Sequence, residues 1–187
     1  MKAQPTLPET YREIFSIHLQ KDKRLALLVN VLALLITVVL YLPMLFFVPF
    51  STLFEGASLL KFLTLLFGYV LYLILHELVH GMAMKLCGTK KVKYGFTGMY
   101  AFAGSDDYYS KGAYIFIALA PIVVWGIVFA ILNIAVPQDW FWVIYLLQIS
   151  NLSGAAGDLY VTFRFSKLPR DILVRDSGVS MQVFSDK

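Results

Sequence analysis

Residues 59–86 read LLKFLTLLFGYVLYLILHELVHGMAMKL, and this stretch decides the fold class. It is apolar over more than the roughly 20 residues that an α-helix needs to cross the hydrocarbon core of a bilayer. His76 and His80 are four positions apart, so both imidazoles lie on one face of that helix, with Glu77 beside them. Ionisable side chains are costly inside a membrane, and a group of three therefore indicates a functional site.

The composition also indicates a membrane protein. Of the 187 residues, 59% are hydrophobic, whereas soluble domains contain about 45–50% apolar residues. Apolar runs at 25–50, 59–86, 113–136 and 140–165 are each long enough to span a bilayer. We therefore predict an all-α integral membrane protein with about four transmembrane helices. Pro121, inside the third run, predicts a kink or a functional irregularity there.

The polar segments between the runs suggest little additional structure. Residues 92–96 and 99–102 flank Thr97-Gly98 and predict a short β-hairpin between helices 2 and 3. Residues 172–174 and 180–184 of the tail are strand-like. Residues 11–23 are predicted to form an amphipathic helix on the membrane surface.

Three segments follow from this reading. We expect residues 1–24 to form an N-terminal segment, residues 25–165 to form a four-helix membrane domain, and residues 166–187 to form a tail. The lipid bilayer is therefore the first expected partner of the protein.

The basic residues predict how the helices are oriented. The net charge is +4 and the chain has 16 lysines and arginines, of which all but Lys61 fall into three segments that four crossings would bring to one face. The positive-inside rule makes that face, with both termini, cytoplasmic. Because topology explains the charge, no nucleic-acid partner is predicted. The three groups are Lys2, Arg12, Lys21, Lys23 and Arg24; Lys85, Lys90, Lys91, Lys93 and Lys111; and Arg164, Lys167, Arg170, Arg175 and Lys187.

Asp158 is the carboxylate deep in a run that complements the two histidines. It precedes Arg164 by six residues, much as His80 precedes Lys85 by five, so both side chains should lie at a similar depth near the cytoplasmic face. Three protein ligands, an open position for water and a base are what a catalytic zinc site requires. We predict that His76, His80 and Asp158 bind Zn²⁺.

These residues predict peptide hydrolysis. Zinc would lower the pKa of a bound water, Glu77 would take its proton, and the hydroxide would attack a peptide carbonyl. Glu77 would then pass the proton to the leaving amine. Asn151, roughly on the helix face of Asp158, is predicted to hydrogen-bond substrate backbone or a developing oxyanion. The alternative for Asn151 is a hydrogen bond between helices.

The motif resembles that of the site-2 protease type of intramembrane zinc metalloprotease, which places HExxH in one transmembrane helix and an aspartate ligand in a later one. The likeness covers about residues 59–165, including residues 118–121 and Asn151, although Gly154 stands where that family has proline. A closer likeness is to small four-helix bacterial zincin peptidases of unknown function. This closer likeness implies a fold and a reaction class but no substrate. For an enzyme of this kind we expect the cell membrane of a bacterium as the location and a membrane protein or peptide as the substrate.

Two other classes of protein were weighed. A metal transporter needs polar groups along the path that the ion takes across the membrane. The first and third runs offer only Asn30, Thr37 and Asn133, which argues against a transporter. A catalytically silent metal-binding membrane scaffold or adaptor could keep the same ligands, and it stays as the alternative function.

Overall fold

The computed structural model describes residues 3–18, 21–98 and 100–186. Helices and strands alternate along the chain, and 3₁₀ helices at Phe50–Phe54 and Gln138–Trp140 lie in two of the connections. The helices are α1 (Lys23–Met44), α2 (Ser58–Leu86), α3 (Lys111–Ala135), α4 (Phe141–Gly154) and α5 (Ala156–Ser166). The strands are β1 (Ala3–Gln4), β2 (Arg12–Ile17), β3 (Lys93–Phe96), β4 (Ala101–Gly104), β5 (Tyr108–Ser110), β6 (Leu173–Asp176) and β7 (Met181–Ser185).

Among the described residues, three helices rather than four are long and apolar enough to cross a membrane. They are α1, α2 and α3, with 22, 29 and 25 residues. The fourth apolar run is divided at Ala155 into α4, with 14 residues, and α5, with 11. Gly154 and Gly157 flank this division, and glycine lowers helix propensity. The fourth predicted transmembrane helix is therefore two shorter helices rather than one.

The chain is also not all-α, because it contains an antiparallel sheet with the strand order β1-β5-β6-β7-β2. The predicted amphipathic helix at 11–23 was wrong where the structure describes that segment. Arg12–Ile17 is a strand, paired from Arg12↔Ser185 to Ile17↔Met181, whereas residues 19 and 20 lie outside the described residues. Phe15 and Ile17 pack inward while Ile14 is exposed, which is the period of two that a strand requires.

The hairpin predicted between α2 and α3 is present, and so are the two strands predicted in the tail. β3 pairs with β4 from Lys93↔Gly104 to Phe96↔Ala101, although Met99 of the predicted second strand lies outside the described residues. β6 pairs with β7 in the tail, close to the predicted strand-like pieces.

The five-stranded sheet gathers the flanking segments at one end of the helices. β1 and β2 precede α1, β5 lies between α2 and α3, and β6 and β7 follow α5. The described parts of the three basic segments therefore lie at the same end of the helices. Because β6 and β7 belong to this sheet, α4 and α5 together return the chain to it.

Lys61, the basic residue outside those three segments, organises the opposite end. Its side chain is fully buried, and its Nζ donates to the carbonyl oxygens of Thr52 at 2.8 Å and Glu55 at 3.0 Å. The carboxylate of Asp139 lies 3.4 Å from the same nitrogen. Lys61 thus joins the start of α2 to both connections that contain 3₁₀ helices.

Replacement of Lys61 by methionine is expected to lower the free energy of unfolding by about 2–3 kcal/mol, because two buried carbonyls lose a charged donor. Thermal unfolding of the detergent-solubilised protein measures this change. Lys90→Met, at an exposed position, is the matched control. Equal melting temperatures for the two variants would contradict this role of Lys61.

Candidate metal centre

Two helices supply the side chains of the candidate centre. His76 and His80 are one turn apart on the buried face of α2, and their ring centroids are 4.9 Å apart. Asp158 lies in the first turn of α5, directly after the division at Ala155. The break therefore starts a new helix at the level of the histidines.

The three predicted ligands meet in the structure. The Oδ2 atom of Asp158 is 3.6 Å from Nε2 of His76 and 3.5 Å from Nε2 of His80. The ligand atoms of all three residues lie within 4.8 Å of one another. The depth argument from the sequence thus led to the correct neighbours.

The spacing of these atoms fits a zinc ion. Two ligands about 2.0–2.1 Å from a tetrahedral ion are about 3.3–3.4 Å apart, close to the observed 3.5 and 3.6 Å. A direct charge-assisted hydrogen bond would be shorter, at about 2.7–2.9 Å. Two imidazoles and one carboxylate are also a donor set that catalytic zinc sites use.

The candidate centre opens onto a cavity of about 1000 Å³. His76 and His80 are 7% and 9% exposed, and the side chain of Asp158 is 22% exposed. The cavity leaves room for a further ligand and for a substrate segment beside the three side chains.

A backbone carbonyl on α3 orients His80. Its Nδ1 lies 3.0 Å from the oxygen of Ile117. A carbonyl oxygen can only accept, so this nitrogen carries the proton and donates it. In the neutral imidazole, Nε2 of His80 is then unprotonated, and it is the atom that faces Asp158.

A series of hydrogen-bonded side chains extends from His76. The hydroxyl of Tyr72 lies 2.9 Å from Nδ1 of His76 and donates to Oδ1 of Asn151 at 3.3 Å. Nδ2 of Asn151 donates to the carbonyl oxygen of Ile122 at 3.1 Å. Asn151 is fully buried and connects α4 to α2 and α3. Its role as a substrate contact stays a prediction.

Glu77 lines the same cavity and is partly buried. Its carboxylate lies near the backbone of Ala103 on β4. The predicted base therefore lies between the candidate ligands and the hairpin that follows α2. Its role in catalysis stays a prediction at this point.

Sequence reasoning missed two further polar residues of the cavity wall, Tyr114 and Asp176. The hydroxyl of Tyr114 donates to Oδ2 of Asp176 at 2.6 Å. Burial raises the pKa of Asp176, while the hydrogen bonds from Tyr114 and the Gly178 N–H act in the opposite direction. Asp176 lies in the tail, outside every apolar run, and only the fold brings it to the cavity.

Tyr72 was missed as well, although the sequence contains a signal for it. Tyr72, His76 and His80 are spaced four apart and so share one face of α2. The spacing was used for the two histidines and was not extended one turn back.

Comparisons with known proteins agree with this donor set. Residues 69–173, more than half of the chain, match the family described as "Putative zincin peptidase". A protein of Pyrococcus woesei, titled "Uncharacterized 24.7 kDa protein in gap 5'region", is 33% identical over 133 residues. That alignment covers 68% of this chain and 57% of the relative, so the chain spans little more than half of the relative's length. No solved structure matches the protein significantly. The chain therefore belongs to this zincin peptidase family, and zincins are zinc metallopeptidases.

Proposed function

We propose that this protein is an intramembrane zinc metalloprotease of the site-2 protease type, which hydrolyses peptide bonds of membrane-associated substrates. The observation that carries the proposal is the convergence of Asp158 with His76 and His80 at the spacing of a tetrahedral site. Both histidines lie on a helix long and apolar enough to cross a membrane.

The roles of the residues follow from their positions. His76, His80 and Asp158 would hold zinc. When bound, zinc would polarise the scissile carbonyl and make water more acidic. Glu77 takes the proton from the attacking water and delivers it to the leaving amine. The Glu77 carboxylate lies in the cavity wall, near the backbone of Ala103.

The edge of β4 that faces away from β3 pairs with no other described strand, and it supports binding of an extended substrate. Thr97 N–H donates to the Tyr100 carbonyl at 3.0 Å, which sets the alternation of the β3–β4 ladder. By that alternation, Ala101 and Ala103 direct their backbone groups away from β3. Both residues line the cavity. A substrate strand can therefore add to this edge and receive backbone hydrogen bonds beside Glu77.

The cavity also supports access from the level of the helices. Its walls include Val29 and Asn30 of α1 and Tyr69 and Leu73 of α2. A segment lying in the bilayer could thus approach between these two helices. This arrangement favours a membrane-protein substrate over a soluble peptide.

Zinc content and proteolysis should separate in two variants. Glu77→Gln is expected to keep bound zinc and to lose at least about 10²-fold in activity, because it removes the proton acceptor. His80→Ala is expected to lose zinc as well. Metal analysis of the purified protein and comparison of membrane proteomes from cells carrying each form measure the two effects.

Glu55→Gln, at an exposed position far from the cavity, serves as the control and should match the wild type. If both the wild type and Glu77→Gln bind zinc and their membrane proteomes are identical, the protease proposal is wrong and the catalytically silent scaffold is favoured. Unchanged zinc in His80→Ala would show that the assigned ligands are wrong.

Proline at Ala101 should slow cleavage without removing zinc. The substitution deletes an N–H that points away from β3, so the β3–β4 ladder survives while the substrate loses one hydrogen bond. One such bond is worth about 1 kcal/mol, so kcat/KM should fall about fivefold. Ala101→Ser, which keeps the N–H, is the control. Unchanged turnover by Ala101→Pro would reject strand addition at this edge.

We further propose that the face carrying the five-stranded sheet is cytoplasmic, because all lysines and arginines except Lys61 fall in the segments on that side. Green fluorescent protein fused after residue 187 should then fluoresce, and alkaline phosphatase fused there should be inactive. The opposite pair of results would reverse the proposed orientation.

A further inference from the structure

We infer that α3, which carries no candidate ligand, fixes the tautomers of both metal-binding histidines through two of its backbone carbonyls. Pro121 and Asn151 are the positioning residues that make this possible. The inference rests on the proposed metal-binding role of His76 and His80.

Pro121 frees the carbonyl that orients His80. In an α-helix, the carbonyl of one residue accepts from the N–H four residues later. The residue four after Ile117 is Pro121, which has no N–H. Ile117 and Pro121 are both buried, so the freed oxygen needs a partner from the protein. Nδ1 of His80 supplies the hydrogen bond at 3.0 Å.

Asn151 fixes His76 through Tyr72. The Ile122 carbonyl can only accept, so the amide nitrogen of Asn151 must face it, at 3.1 Å. The amide oxygen then faces the Tyr72 hydroxyl at 3.3 Å and takes its single proton. Toward His76 the hydroxyl can therefore only accept, and Nδ1 of His76 donates at 2.9 Å.

The hydrogen bond from His80 to Ile117 and the series from His76 through Tyr72 and Asn151 to Ile122 form two relays. Both have the same effect on the metal-donor nitrogens. Each histidine carries its proton on Nδ1, which leaves a lone pair on Nε2, and both Nε2 atoms face Oδ2 of Asp158. A free imidazole exchanges between two tautomers, and the one protonated on Nε2 cannot bind a metal there. The two carbonyls of α3 thus hold the donor set ready before a metal arrives.

This assigns Asn151 to positioning rather than to substrate contact. Its side chain is fully buried, and its amide groups are used by Tyr72 and Ile122.

The test uses the tautomers themselves. The chain has three histidines, so ¹⁵N-histidine labelling of the purified metal-free protein gives few signals, and His18 is an internal reference. At a pH above the titration of both rings, found by following their ¹⁵N shifts upward from neutral pH, wild-type His76 and His80 should both report protonated Nδ1. Pro121→Ala should shift His80 alone toward a mixture, because the new N–H competes for the Ile117 carbonyl. Tyr72→Phe and Asn151→Leu should shift His76 alone.

Zinc affinity, measured by competition with a chelator, is the second readout. Loss of such supporting hydrogen bonds typically weakens metal binding about 10–100-fold, and we expect this for all three variants. Tyr69→Phe on α2 and Pro43→Ala on α1 are matched controls and should keep wild-type affinity.

Unchanged tautomers in both Pro121→Ala and Tyr72→Phe would overturn the inference. So would an equal shift of His76 and His80 in either variant, because a general loosening of the bundle has no preference for one ring. Tyr72→Phe removes one buried oxygen only, so it provides the test if Pro121→Ala does not fold. If wild type holds the tautomers but binds no zinc, the proposed function fails and the tautomer relay stands.

Discussion

The contact between the Asp158 carboxylate and the two imidazoles is the constraint on which the rest of the fold depends. Charged and polar groups in an apolar bundle are tolerated only when they are paired or hold a metal. Asp158 must therefore start α5 at the depth of His76 and His80. The division of the fourth run at Ala155 meets that requirement, since it separates the turn with Asn151 from the turn with Asp158. The polar groups form layers along α2, where Tyr72 faces Asn151 and the histidines face Asp158.

Helix α3 completes these layers without adding a charge to the bundle. It offers main-chain oxygens, at Ile117 and Ile122, where a side-chain acceptor would otherwise be required. An intact helix would use the Ile117 oxygen internally, so the irregularity at Pro121 serves the site. A carboxylate partner would do the same work on the histidines, but burying another charge would cost far more than one missing helical hydrogen bond.

The sequence was informative where desolvation makes a residue type rare. Two histidines and two carboxylates deep in apolar runs identified the polar centre, and matching depths brought Asp158 to it. The pairing of Arg12–Ile17 with Met181–Ser185 could not be predicted, because it depends on proximity that only the helices create. The division of the fourth run at Ala155 was not predicted, because hydropathy carries no information about where a helix is interrupted. The role of Tyr72 was not predicted, because the chain has 11 tyrosines and a single one does not stand out.

The five-stranded sheet closes one end of the cavity. The β6–β7 turn packs so closely on β4 that a Cβ at Gly104 would overlap the backbone of Ser177 and Gly178. Ser105 N–H donates to the Asp176 carbonyl at 2.7 Å, which fixes the turn there. The tail thus walls the cavity at the sheet end, while α1 and α2 line it between the helices. Under the proposed function, a cavity walled in this way would admit a substrate that arrives within the bilayer and unwinds to reach the edge of β4.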